Sequence, residues 1–476
     1  MQNEDTSLTR RDFLAISGAL ALSGGVFPCM NAVPLLKTGV ISDTHITDLE
    51  STLTLRRALE YFRDRQVDAV VIAGDLTNNG LVSELGLLAE TWYSVFPGDR
   101  APDGRRVERV FIAGNHDVGV YGRSPNPNAN MGESECDIGK SGGLPLVNVG
   151  FAKAWRHFFG EEFALFFRKR IKGYDFLGAH WDPAVPIELN SPTPLWHIRE
   201  AKKALAAIDR NRPFFYIQHP HLKGTVLHPE SVFTHDDGAM TELLNGFPAA
   251  VALSGHSHVS LTDERTLWRG NFIAIGASTL KSVNASGIHD NHASLVRDTE
   301  CHHDVRQGLV IELYDRHIVC ERRDFSRGEA VDTPWTVSIP ATGNGTESTV
   351  RHVEPPRFAH SAKVRVVPPA KPEAAGKIFF PQALANRSTR PYDYEIKVDH
   401  DYAGVRLTLG MFRILSPSVL LPKRYDSLFP DVEWHLEPRH LPKYDLGRIK
   451  VTITAIDSRG VRGGSIESAW IKVPKT

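Results

Sequence analysis

The sequence predicts a layered α/β domain in which a β-sheet sandwich is flanked by helices, followed by a small β-sandwich domain. Short, nearly continuous apolar runs are typical of strands that are buried on both faces. The runs cover residues 35–42, 69–73, 110–113, 214–218 and 249–253, and each ends in polar or ionisable residues. Ligands of open α/β sheets bind beyond the carboxyl ends of strands, so we expect the functional residues there.

Helical periodicity lies between these runs. Leu55, Ala58, Leu59 and Phe62 follow the i, i+3, i+4, i+7 spacing that places apolar side chains on one face of a helix. A second helical pattern covers residues 196–208, directly before the strand predicted at 214–218. The alternation of strands and helices is what indicates the α/β class.

The composition of the chain argues against some classes of binding partner. The chain has 476 residues and is 41% hydrophobic, which is enough for a large core and two domains. Its formal net charge of -1 and its pI of about 7.1 argue against bulk binding of nucleic acid or a membrane surface. The 4 cysteines include no Cys-x-x-Cys pair, so we expect ordinary thiols rather than a disulfide scaffold or a zinc ribbon.

The N-terminus is expected to be an export signal covering residues 1–32. Arg10 and Arg11 stand directly before an apolar run, residues 14–26, that is short for a membrane span. This arrangement is typical of a twin-arginine signal, although a chance arginine pair at a helix start has the same sequence. We therefore expect a periplasmic or extracellular protein, with the segment either cleaved or retained as a membrane anchor.

Five polar blocks follow the predicted strands. Each block alone also fits an ordinary structural role, because Asp and Asn suit turns and a lone His is often hydrogen-bonded structure. Together they offer only oxygen and imidazole ligands, the selection expected for a pair of Mn, Fe or Zn ions. The blocks are Asp43-Thr44-His45, Gly74-Asp75, Gly114-Asn115-His116-Asp117, Gln218-His219-Pro220-His221 and Gly255-His256-Ser257-His258.

In order and spacing, the blocks resemble the calcineurin-like metallophosphoesterase family over about residues 39–277. The resemblance implies two divalent or trivalent metal ions and a phosphate-ester substrate. It further implies one ion held by Asp43, His45 and His258, a second held by Asn115, His219 and His256, and a bridge between them formed by Asp75. Two cations about 3.5 to 4 Å apart need a shared anion, and together they lower the pKa of a bridging water. The resemblance therefore implies attack on phosphorus by a bridging hydroxide.

His116 is the candidate catalytic residue. It stands beside the ligand Asn115 but is not a ligand in the family, so it is available to protonate or steady the leaving oxygen. Either Asp117 or a backbone carbonyl could orient its ring. Asn115 and His221 are also candidates for substrate binding. His228 and His235, further along, are expected to be surface histidines.

Differences between this sequence and two branches of the family narrow the predicted class of substrate. Protein Ser/Thr phosphatases carry an Asp and two phosphate-binding Arg residues where this chain has Asn78, Asn79 and Gly119. Purple acid phosphatases carry a metal-bound Tyr at the position of Asn78 and a Gly at that of His45. The remaining similarity is to the bacterial branch that includes phosphodiesterases. A diester carries less charge than a monoester, so the loss of both Arg residues favours a diester substrate.

Two further segments contain none of the predicted metal ligands. Residues 121–150 are rich in Gly, Asn, Ser and Pro, and are expected to form either a surface loop or a lid over the cleft. The catalytic domain is expected to cover residues 33–340, a linker residues 341–356, and a β-sandwich domain residues 357–476. Alternating residues from Ile449 to Ala455, followed by a turn, predict a half-buried antiparallel strand. That domain is either a packing or oligomerising appendage or a carbohydrate- or surface-binding module.

The sequence therefore predicts an exported, metal-dependent hydrolase of phosphate esters that favours phosphodiesters. A phosphomonoesterase is one alternative. The other alternative is a binding protein that keeps the metal site but not turnover. Metal content, measured together with turnover of a diester and a monoester, would separate the three.

Overall fold

The computed structural model describes residues 33–118, 149–182, 192–227, 236–284, 301–302, 304–341, 354–370, 374–384, 391–402, 404–416, 431–438 and 447–473. The predicted signal, most of the predicted lid segment, His228 and His235 lie outside these residues. Leu35–Thr476 form one compact unit. Among the described helices, none has the length and apolarity needed to cross a membrane.

The first part of the chain alternates helices and strands. Its helices are α1 (Thr52–Asp64), α2 (Val82–Val95), α3 (Val149–Phe159), α4 (Leu195–Leu205) and α5 (Ala239–Leu244). Its strands are β1 (Leu36–Ile41), β2 (Ala69–Ala73), β3 (Glu108–Ile112), β4 (Phe166–Ile171), β5 (Tyr174–Ala179), β6 (Phe214–Gln218), β7 (Ala250–Ser254), β8 (Leu267–Arg269), β9 (Ile273–Gly276), β10 (Val283–Asn284), β11 (Cys301–His302), β12 (Gln307–Leu313), β13 (His317–Asp324), β14 (Glu329–Ala330) and β15 (Trp335–Ser338).

Two large sheets contain all of these strands except β10 and β11, which pair with each other. The first has the order β14-β13-β12-β1-β2-β3, with β15 paired to β13, and its β1, β2 and β3 are parallel. The second has the order β4-β5-β6-β7-β9-β8, with β5, β6, β7 and β9 parallel. Parallel neighbours end at the same edge, so the residues that follow β1, β2 and β3 are brought together, as are those that follow β6 and β7.

The two sheets pack face to face and carry helices on their outer faces. Val40 and Val71 of the first sheet share a buried apolar cluster with Phe215 and Val251 of the second. Helices α1, α2 and α3 cover the other face of the first sheet, and α4 and α5 cover that of the second. Aliphatic and aromatic burial on both faces explains why the sequence reads as continuous apolar runs. The predicted layered sandwich flanked by helices is confirmed.

The individual elements agree closely with the sequence. The strands predicted at 69–73 and 214–218 have those bounds, and the other three differ by one or two residues at their ends. Helix α1 buries Leu55, Ala58, Leu59 and Phe62, the residues whose spacing predicts it. The antiparallel β12, which pairs with β1 in the middle of the first sheet, was not predicted.

The last part of the chain is all β. Its strands are β16 (Arg365–Val367), β17 (Gly376–Pro381), β18 (Pro391–Tyr402), β19 (Val405–Leu415), β20 (Asp431–Leu436), β21 (Arg448–Asp457), β22 (Arg462–Glu467) and β23 (Ile471–Lys472). One sheet has the order β16-β17-β20, and the other β19-β18-β21-β22 with β23 on β21. Ile378 and Val432 of the former pack against Ile396 and Ile453 of the latter in a separate core. The alternation from Ile449 to Ala455 lies in β21, as predicted.

Candidate metal centre

All the predicted ligands lie just beyond the carboxyl ends of parallel strands. In the first sheet, Asp43 and His45 follow β1, Asp75 follows β2, and Asn115 follows β3. In the second sheet, His219 follows β6, and His256 and His258 follow β7. Because the sheets pack face to face, the two sets of side chains meet at one edge of the sandwich.

Five of these seven residues adopt left-handed backbone conformations. The φ angles are 50° at Asp43, 42° at His45, 49° at Asp75, 70° at His256 and 54° at His258. Residues with a side chain seldom adopt this region, and such strain clusters at functional sites. The bends occur just beyond the strand ends, where the ligand-bearing loops begin.

Two glycines allow the ligand-bearing loops to approach one another. A side chain at Gly114 would collide with the carboxylate of Asp75 and with the ring of His219. A side chain at Gly255 would collide with Ser42 and with the carboxylate of Asp43. The glycines of these blocks are therefore required by close packing of the ligands themselves.

One group of ligand atoms joins Asp43, His45 and His258. Nε2 of His258 lies 3.0 Å from Oδ1 of Asp43 and 3.2 Å from Nε2 of His45. Nδ1 of His258 donates to the carbonyl oxygen of Ser282 at 2.8 Å, so Nε2 is the nitrogen left for a metal. The three ligand atoms lie within 4.8 Å of one another, which suits a shared ion.

A second group joins Asp75, His219 and His256. Nε2 of His219 lies 3.2 Å from Oδ2 of Asp75 and 3.2 Å from Nδ1 of His256. Nδ1 of His219 donates to the carbonyl oxygen of Ala73 at 2.8 Å, which again directs Nε2 inward. A third group of the same kind contains His45, Asp75 and His116. His116 therefore lies at the edge of the first and the second group.

The donor set fits metal ions. Oδ1 of Asn115 is buried and has no hydrogen-bond partner among the described residues, although a buried amide oxygen normally has one. A cation beside Asn115 would satisfy its oxygen, and oxygen and imidazole donors suit Mn, Fe or Zn.

The electrostatics of the pocket favour positive charge. Burial would raise the pKa of Asp43, but His258 and His219 lower it well below its usual range. Burial would lower the pKa of His219, but Asp75 and Asp43 raise it to about 9. Burial lowers the pKa of His45 to about 4, which keeps that ring neutral and able to bind a metal. The buried carboxylates of Asp43 and Asp75 therefore stabilise positive charge at the point where the ligand atoms converge.

Asn78 connects a predicted ligand to the predicted catalytic residue. Nδ1 of His45 lies 3.2 Å from Oδ1 of Asn78, and Nδ1 of His116 donates to the Asn78 carbonyl oxygen at 2.7 Å. Of the two ways to orient His116, the structure shows the backbone carbonyl. With Nδ1 engaged, Nε2 of His116 faces the site, 4.0 Å from Oδ2 of Asp75.

Asp117 has a different role. Its carboxylate accepts hydrogen bonds from the backbone nitrogens of Gly114 at 2.7 Å, Leu76 at 3.0 Å and Thr77 at 2.7 Å. Burial, with Asp75 next in importance, raises the pKa of Asp117 to about 7. Asp117 therefore ties the loop after β2 to the loop after β3, the loops that carry Asp75 and Asn115.

His221 is buried and lies between two serines. Its Nδ1 is 2.6 Å from the hydroxyl of Ser254, and its Nε2 is 2.6 Å from that of Ser257. Ser257 stands between the ligands His256 and His258. This geometry favours positioning of the His256–His258 loop over the direct substrate contact expected for His221.

Two polar residues near the site make contacts that the sequence did not indicate. Asn79, at a position where protein phosphatases carry an Arg, donates through Nδ2 to Glu84 at 2.7 Å and so turns toward α2. Nζ of Lys281 donates to Oδ1 of Asn78 at 2.5 Å, which brings a cation beside His45 and His116. Lys281 belongs to no ligand block and is remote in sequence, so no local signal marks it.

The fold and the site together define a metallophosphoesterase-type domain. The family model of the calcineurin-like phosphoesterases matches residues 36–260, a span that holds every predicted ligand. Residues 36–260 therefore resemble a calcineurin-like phosphoesterase domain, and this match supports a hydrolase that acts on phosphoric ester bonds. No curated protein matches the sequence.

Several solved structures resemble the chain at low identity. A dimetal phosphatase from Danio rerio is 13% identical, with 64% of this chain and 99% of that chain covered and a TM-score of 0.39. A purple acid phosphatase from yellow lupin (Lupinus luteus) seeds is 14% identical, with 64% and 55% covered and a TM-score of 0.42. The GAP50 anchor in the inner membrane complex of Plasmodium is 13% identical, with 65% and 90% covered and a TM-score of 0.39.

Proposed function

We propose that the protein hydrolyses phosphodiesters at a centre of two metal ions, with a bridging hydroxide as the nucleophile. The observation that carries the proposal is the position of Asp75. Its Oδ2 lies 3.5 Å from Nε2 of His45 in one ligand group and 3.2 Å from Nε2 of His219 in the other. One carboxylate oxygen thus reaches both groups, which suits a bridge between two cations.

The residues of the site have separate roles in the proposed reaction. Asp43, His45 and His258 would hold one ion, Asn115, His219 and His256 the second, and Asp75 both. When bound, the pair of ions supplies the hydroxide and offsets charge on the phosphate oxygens. The Asn78 carbonyl oxygen accepts a hydrogen bond from Nδ1 of His116, which leaves Nε2 to donate a proton to the leaving oxygen.

We expect a higher kcat/KM for bis(p-nitrophenyl) phosphate than for p-nitrophenyl phosphate, measured with one metal at one pH. A monoester is close to dianionic at neutral pH, whereas a diester carries one negative charge and needs fewer cations beyond the metals. Asn79, at an arginine position of the protein phosphatases, is turned toward Glu84. A clear preference for the monoester would contradict the diester assignment and leave the hydrolase class intact. Absence of turnover in metal-loaded protein would favour the binding protein.

Lys281 supports a phosphomonoesterase as the second candidate. Its ammonium group, 2.5 Å from Oδ1 of Asn78, could partly replace the missing arginines. If it does, the wild type prefers the monoester, and Lys281→Met lowers kcat/KM for the monoester more than for the diester. Lys202→Met, at an exposed position on α4, is the matched control. Equal effects on both substrates would remove Lys281 from this role.

We also propose that residues 1–32 direct export through the twin-arginine route. Arg10→Lys combined with Arg11→Lys is then expected to leave the enzyme in the cytoplasm, as judged by cell fractionation. A second arginine pair, Arg56-Arg57 on α1, gives a matched control in which both become lysine without touching the signal. Unchanged location of the first variant would contradict the signal assignment.

A further inference from the structure

A small apolar cluster joins the C-terminal sheets to the metal-ligand region. It contains Val259, Val283, Val305 and Tyr392, with Leu227 and Leu415 packed against it. Tyr392 lies on β18 and is only 2% exposed. Val259 directly follows the predicted ligand His258. The C-terminal domain therefore reaches the segment that carries a ligand.

The same cluster also contacts the partner of His258. Nδ1 of His258 donates to the carbonyl oxygen of Ser282 at 2.8 Å, and Ser282 directly precedes Val283. Tyr392 thus packs in one cluster with the covalent neighbours of both the donor and the acceptor of this hydrogen bond. Outer partners of this kind fix the ring orientation of a metal-ligating histidine.

Polar contacts hold Tyr392 against the loop that follows His258. The guanidinium of Arg265 lies 5.2 Å from the centre of the Tyr392 ring, within the range of cation–π attraction. Asp263 holds that guanidinium through Nε at 3.0 Å and Nη2 at 2.8 Å. Nearby, the Ser458 hydroxyl of the C-terminal domain donates to Glu264 at 3.0 Å.

From these contacts we infer that Tyr392 is a positioning residue for His258, so that the C-terminal domain helps to build the metal centre. The ring fixes Val259 and Val283, and these fix the separation of His258 from the Ser282 carbonyl. The inference rests on the proposed metal centre. It assigns the C-terminal domain a role beyond a passive appendage.

The test is Mn²⁺ binding to metal-free full-length protein. Tyr392→Ala is expected to weaken binding at one of two sites by up to roughly 10-fold, the lower end of the 10- to 100-fold loss that follows removal of an outer partner itself. Tyr394→Ala is the matched control, because Tyr394 lies on the same strand but packs in the C-terminal core. It should lower the midpoint of thermal unfolding and leave Mn²⁺ affinity unchanged. Tyr392→Phe, which keeps the ring, should bind Mn²⁺ like the wild type.

Three results would overturn the inference. One is wild-type Mn²⁺ affinity in Tyr392→Ala, and another is an equal loss of affinity in Tyr392→Ala and Tyr394→Ala. The third is a metal-free wild type that takes up none of Mn²⁺, Fe²⁺ and Zn²⁺, which would overturn the proposed metal centre as well, so the two failures are distinguishable. If Tyr392→Ala does not fold, Tyr392→Leu carries the same test, with a smaller loss of affinity expected at the same site.

Discussion

Replacing His116 with alanine is expected to lower kcat by roughly 10²- to 10⁴-fold while leaving the metal content unchanged. The Asn78 carbonyl engages Nδ1 of His116 at 2.7 Å, so Nε2 is the nitrogen that can exchange a proton with the leaving oxygen. The side chain is 22% exposed, which leaves it open to substrate. Loss of this proton donor should matter most when the leaving group is a strong base.

The measurement compares phosphodiesters that release p-nitrophenol or phenol. The loss in kcat should be larger for phenol, because p-nitrophenolate hardly needs a proton. His157→Ala, which removes an exposed histidine on α3, serves as the control and should change neither rate nor metal content. Equal losses for both leaving groups would remove His116 from the proton-transfer role. Loss of a metal ion would instead make His116 a ligand, as its group with His45 and Asp75 allows.

Asp75→Asn is expected to weaken both metal sites and to abolish most activity. The Asp75 carboxylate reaches a ligand of each group, at 3.5 Å and 3.2 Å, and a neutral amide cannot offset two cations in a buried pocket. The loss of affinity should exceed the roughly 10- to 100-fold that follows removal of an outer partner. Asn115→Ala removes a ligand of one site only, so it should affect mainly one ion.

Metal titration of the two variants, followed by elemental analysis after dialysis, measures this difference. Asp64→Asn makes the same chemical change at an exposed position on α1 and should retain the wild-type metal content. Retention of both ions by Asp75→Asn would contradict the bridging role. Equal loss at both sites in Asn115→Ala would contradict the division of ligands between them.

The sequence predicts the sheet edges and the ligand blocks because both depend on local patterns. A buried parallel strand is a short apolar run, and the polar residues that follow it are only a few positions away. The strands that precede Asp75 and His219 therefore have the bounds that the sequence predicts. Parallel pairing then brings separate blocks together without further information.

Other features depend on contacts between remote residues. The pairing of β12 with β1 and the approach of Lys281 to Asn78 leave no local pattern. The orientation of His116 depends on a backbone carbonyl, which any residue at position 78 would supply. The left-handed conformations of the ligands are likewise imposed by the fold, since the sequence at Asp43 or His256 does not require them.

The C-terminal domain also has one feature that a local sequence pattern predicts and one that depends on contacts between remote residues. Alternation along β21 predicts a half-buried strand, since every second side chain faces the core. The apolar cluster that Tyr392 shares with Val259 and Val283 joins residues distant in the chain and leaves no local pattern in the sequence. A single buried aromatic at a domain boundary has the same sequence signature as one in a core.

The number of metal ions per chain distinguishes a centre of two metal ions from a centre of one. Purified protein would be loaded with metal, dialysed and assayed with bis(p-nitrophenyl) phosphate, and the same sample would be submitted to elemental analysis. Two ligand groups that share Asp75 predict close to two ions per chain in active protein. A single ion per chain in fully loaded, fully active protein would contradict the proposed centre and its bridging nucleophile.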